Sequence, residues 1–73
     1  MYNINNIQQK LQNSNLIQGQ NTERFIFKLV SEMRAMSELQ AIQIRRVVDE
    51  LFSEYEPNLT KDEVLEIIFS SIF

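Results

Sequence analysis

Thirty-five consecutive residues, Asn21 to Tyr55, contain neither glycine nor proline and are dense in Phe, Ile, Leu, Val and Met. Good helix formers dominate, and apolar residues recur three and four apart rather than alternately, so the stretch reads as helix. Ile26, Leu29, Val30, Met33 and Met36 form one stripe; Ile44, Val47, Val48, Leu51 and Tyr55 form another. At about 100° per residue each stripe is roughly 100° to 120° wide, the face of a helix lying on a core.

Between the stripes the phase slips. Leu39 and Ile42 point nearly opposite to them, while Ser37, Gln40 and Ala41 occupy the stripe positions. One reading breaks the chain near Ser37, with Ser37-x-x-Gln40 as a capping box and Leu39 and Ile42 turned inward on a newly oriented helix. The other continues a single helix of about 50 Å, at ~1.5 Å per residue, which the short remaining segments cannot cover and which demands a dimer. The break is the expectation adopted.

Half of the first twenty residues are Asn or Gln, with Lys10 the one charge. Ile4, Ile7 and Leu11 have helical spacing, so a short helix is expected over about residues 3–12. At that length it needs a groove, on its own domain or on a partner. Asn13 to Gln20, holding the single glycine, Gly19, reads as a loop with Leu16 and Ile17 tucked against the core. Asn21 or Thr22 is the expected cap of the second helix, with Glu23 suited to its positive end.

Pro57 ends the third helix and pushes Glu56 out of the helical region, toward extended backbone. Thr60-Lys61-Asp62-Glu63 then forms a capping box, with Leu59 and Val64 as a hydrophobic staple. The expected fold is all-α, a small four-helix domain with helices near residues 3–12, 22–36, 38–55 and 61–71. Residues 1–20 form an Asn/Gln-rich arm and residues 21–73 a helical core. Dimerisation is expected, because Ile67, Phe69, Ile72 and Phe73 on the last helix, with Phe27 on the second, exceed what a four-helix monomer covers.

Composition removes most chemistry. With no histidine and no cysteine, Ser-His-Asp and Cys-His constellations, common zinc sites and disulfides are excluded. One glycine leaves no phosphate-cradling loop. Asp62, Glu63 and Glu66 resemble a weak cation site, but first-turn acids are explained by capping. No enzyme, cofactor, metal or small-molecule substrate is therefore expected. The longest apolar run, Ile67 to Phe69, is too short for a membrane span, and no charged and apolar leader is evident, so a soluble, cytoplasmic chain is expected.

Charge is unevenly placed around a net −3. Residues 1–48 hold six basic and three acidic side chains; residues 49–73 hold seven acids against Lys61. Asp49, Glu50, Glu54, Glu56, Asp62, Glu63 and Glu66 offer an acidic surface that steers a basic partner, or are simply solvated helix faces. The expected function is a non-enzymatic protein–protein interaction module, self-associating, that acts as an adaptor, regulator or inhibitor of a larger assembly. The alternative is a DNA-associated, helix-turn-helix-like domain using Arg24, Lys28, Arg34, Arg45 and Arg46.

Overall fold

The computed structural model describes residues 4–13 and 19–72; the expectations for Leu16, Ile17 and Phe73 lie outside them. Four helices make up the described chain, with no strand among them: α1 (Ile4–Asn13), α2 (Gln20–Ala35), α3 (Ala41–Tyr55) and α4 (Lys61–Ile72). Residues 36–40, between α2 and α3, are not helical.

The helices form a closed ring. α2 packs on α1 and α3, and α4 packs on α3 and α1, while the diagonal pairs do not approach each other. Every helix sends apolar side chains to the shared centre: Ile7 and Leu11 from α1; Phe25, Ile26, Leu29, Val30 and Met33 from α2; Ile44, Val48 and Leu51 from α3; Val64 and Ile68 from α4. Phe25 meets Phe52 edge to face, with centroids 4.8 Å apart, fixing the α2–α3 seam. The radius of gyration is 11.1 Å, against about 11 Å for a compact chain of this length. The longest extent, 30 Å, shows how tightly the four short rods are folded together.

The helix ends differ from expectation in instructive ways. Gly19, in extended conformation, is the residue before α2, and its carbonyl accepts the N–H groups of Thr22 and Glu23 at 3.1 and 3.2 Å. Thr22 is no cap: it is buried, and its hydroxyl accepts the Asn58 N–H at 2.9 Å, tying the start of α2 to the α3–α4 loop. The buried Thr22 hydroxyl is satisfied by this bond, which offsets the cost of taking it out of water. The expected Ser37-to-Gln40 box is also absent. α3 starts at Ala41 behind Gln40, with no side-chain cap, and the Gln40 amide donates instead to Glu38.

The other two boundaries follow the sequence logic closely. Glu56 adopts the left-handed conformation (φ 48°, ψ 58°) and its N–H donates to the Phe52 carbonyl at 3.0 Å, ending α3 at Tyr55, two residues before Pro57. The Thr60 hydroxyl accepts the Glu63 N–H at 3.1 Å, capping α4. Leu59 packs against the core and Val64 is fully buried within it.

Two substitutions test this framework by urea unfolding. Thr22→Val removes the hydrogen bond to the Asn58 amide at a part-buried site and is expected to cost about 0.5–1.5 kcal/mol. Glu56→Gly removes the penalty of a left-handed L-residue, about 1–2 kcal/mol, partly offset by a more flexible unfolded chain. A net stabilisation of up to about 1 kcal/mol is expected.

Candidate interaction surface

The run Phe25-Ile26-Phe27 opens α2 with apolar groups on nearly every side, and the ring decides their fates. Phe25 and Ile26 are buried, whereas Phe27, about 200° around the helix from Phe25, is 72% exposed. It borders a shallow hollow of about 120 Å³ between α1 and α2, lined also by Gln8, Val30, Ser31 and Arg34. Met33 is fully buried, so it packs as plain core.

On α4, Ile67, Phe69 and Ile72 are each half-buried against the core. They do not share one flank. Ile67 and Phe69 diverge by about 200°. Ser71, close to Ile67 on the wheel, accepts a hydrogen bond from Lys10 of α1 at 3.2 Å, while the Arg45 guanidinium of α3 lies 5.4 Å from the Phe69 ring centroid. Phe27 sits on α2, which does not pack on α4. The expected contact residues thus fall into three places: Phe27 over α1, Ile67 toward α1, and Phe69 with Ile72 toward α3.

Ile42 is the residue that sequence reasoning placed wrongly. Expected inward, it is 73% exposed, while Leu39 does pack against the core. The phase of Ile44, Val48 and Leu51 carries the signal: Ile42 lies about 200° from Ile44 and so on the far side of α3. α3 and α4 run antiparallel, since Asp49 pairs with Lys61 at 3.2 Å and Arg45 with Phe69. This direction brings the start of α3, with Ile42 and Arg45, alongside the end of α4, with Phe69 and Ile72.

The same direction gathers charge. The acids on the second half of α3 (Asp49, Glu50, Glu54, with Glu56 just after) lie beside those on the first half of α4 (Asp62, Glu63, Glu66), and all but half-exposed Glu63 are exposed. The α3–α4 pair therefore has a basic-apolar end and an acidic end. The basic set is dispersed by comparison. Lys28 pairs with Glu32 at 3.5 Å, Arg34 donates to the Asn5 side chain, and Arg45 covers Phe69. Arg24 is exposed on α2 and Arg46 on α3.

Among the described residues no group of three or more His, Cys, Asp or Glu side chains is placed to hold a metal ion, and no helix is long and apolar enough to cross a membrane. Comparison with known protein families, with curated proteins and with solved structures gave no match.

Exposure divides the apolar residues into two energetic classes. Phe27→Ser and Ile42→Ser, measured at dilute concentration by thermal unfolding, are expected to change stability by no more than about 0.5 kcal/mol. Ile68→Ala, which empties a fully buried site, is expected to cost about 2–5 kcal/mol.

Proposed function

We propose that this chain is a non-enzymatic helical protein–protein interaction module, its central helices parting around Ser37, that self-associates and serves as a small adaptor, regulator or inhibitor of a larger assembly. The observation that carries the reading is Ile42, 73% exposed on the outer face of α3, a helix whose first turns run alongside the end of α4 that holds half-buried Phe69 and Ile72. A large aliphatic side chain gains nothing from water, and its removal by a neighbour supplies the favourable term in association. The Arg45 guanidinium over Phe69 gives the same place a cation–aromatic pair, and arginine and aromatic residues are enriched where proteins meet.

The acidic end supports the choice of partner class. Exposed Glu50, Glu54, Glu56, Asp62 and Glu66 repel phosphate backbones and attract basic protein surfaces, raising encounter rates in a salt-dependent way. Commitment of Arg34 to Asn5 and of Arg45 to Phe69 leaves the five-residue basic set poorly arranged for a duplex.

Sedimentation equilibrium of the whole chain tests the proposal. A concentration-dependent rise from the 8.7 kDa single copy toward twice that mass is expected, weakened by Ile42→Ser and Phe69→Ser. A strict single copy at the highest soluble concentration, indifferent to both substitutions, removes self-association. Duplex binding that falls steeply with added salt and disappears in Arg45→Ala/Arg46→Ala replaces it with the DNA-associated reading.

A further inference from the structure

We infer, resting on the self-association reading above, that the outer face of α3 is covered by the α3 of a second copy, running antiparallel about a two-fold axis near Val47 and Val48. Ile42, Arg46, Asp49 and Ser53 are spaced i, i+4, i+7, i+11 and fall within an arc of about 60°. That arc lies about 160° from the buried line of Ile44, Val48 and Leu51. All four residues are exposed.

Read in either direction along the helix, the stripe is centred between Val47 and Val48, with Arg46 on one side and Asp49 on the other. Antiparallel pairing about that point sets Arg46 against the second copy's Asp49 twice, and Ile42 over the second copy's Ser53. A parallel pairing in register sets like charges together instead, which is a strong penalty for charges taken out of water. The pattern thus selects one direction and one register.

Neither charge is fully committed within the fold. Among the described residues the ion pairs are Lys28–Glu32 and Lys61–Asp49, so Arg46 is not paired with Glu50 one turn along. Asp49 pairs with Lys61 at 3.2 Å, yet both side chains remain more than half exposed.

On the arc directly opposite the core, the other helices lack this self-complementarity. The outer stripe of α2 carries Arg24 and Lys28, which repel in an antiparallel pair, and that of α4 carries Asp62 and Glu66, which do the same. α1 offers Asn5, Asn6, Gln9 and Gln12 with no charge pair to fix a register. On the arc directly opposite the core, α3 shows both signs in an order that matches its own reverse, whereas α2 and α4 each show one sign there.

Charge reversal with rescue is the test, read by sedimentation equilibrium on the full chain, with circular dichroism verifying helix content. Arg46→Asp and Asp49→Arg are each expected to weaken self-association about tenfold or more, since each sets like charges across the axis twice. An equimolar mixture of the two is expected to recover wild-type mass, because both cross-axis pairs are then opposite in sign. Wild-type association is also expected to weaken as salt rises. Should Asp49→Arg lose helix content through its Lys61 contact, Asp49→Asn replaces it, with a weakening of several-fold expected and association unchanged from wild type counting against the pairing. Single variants that associate as tightly as wild type, or a mixture that stays as weak as its components, overturn the α3 pairing while leaving self-association intact. A wild-type chain that stays a single copy overturns the underlying reading as well.

Discussion

Everything in this molecule depends on four short helices excluding water from one shared centre. A chain of 73 residues without cysteine has no covalent staple, and a domain of this size buries only about 60% of its unfolded surface. The core must therefore be dry and complete. α1 contributes only Ile7 and Leu11 at full burial, yet both sit at 0% exposure and close the ring between α2 and α4. Its ten residues are too few to hold helical form alone, so the groove that accepts them also creates the helix.

Around that centre the connections hold the rods in place. The Thr22 hydroxyl takes the Asn58 amide, joining the beginning of α2 to the loop that launches α4. The Glu56 left-handed turn and the Thr60 cap bracket the same loop, so two local devices and one long-range hydrogen bond set the angle at which α4 returns. That angle has functional weight. It lays the end of α4 beside the start of α3 and thereby sets the Arg45 guanidinium over Phe69, with the acids collected at the opposite end of the pair.

Legibility varied with how local each feature was. Helix α4 and its cap were readable because Thr60, Glu63, Leu59 and Val64 act within one turn of each other. The stop before Pro57 was readable because the proline ring keeps the residue before it out of the helix, but the left-handed turn at Glu56 was not, since that restriction favours extended backbone. The start of α2 was not, since Thr22 is drawn off by an amide 36 positions away that no local pattern reveals. The start of α3 was misplaced for a related reason: Ser37 and Gln40 have the right spacing for a box, but Gln40 donates to Glu38 and caps nothing. Ile42 was turned the wrong way because its orientation was inferred from that misplaced start.

By itself the sequence determined helix content, the residues that must be hidden, the stop at Pro57 and the restart at Thr60, and the poverty of catalytic groups. These follow from backbone sterics, period-3.6 patterning and side-chain chemistry, all of which act over a few residues. Only the tertiary structure decided which of several apolar side chains stay outside: Phe27 rather than Phe25, Ile42 rather than Leu39. A helix with apolar groups on several sides cannot choose its buried face alone. The neighbours in the ring make that choice, because burial is a property of the contact between helices and not of either helix.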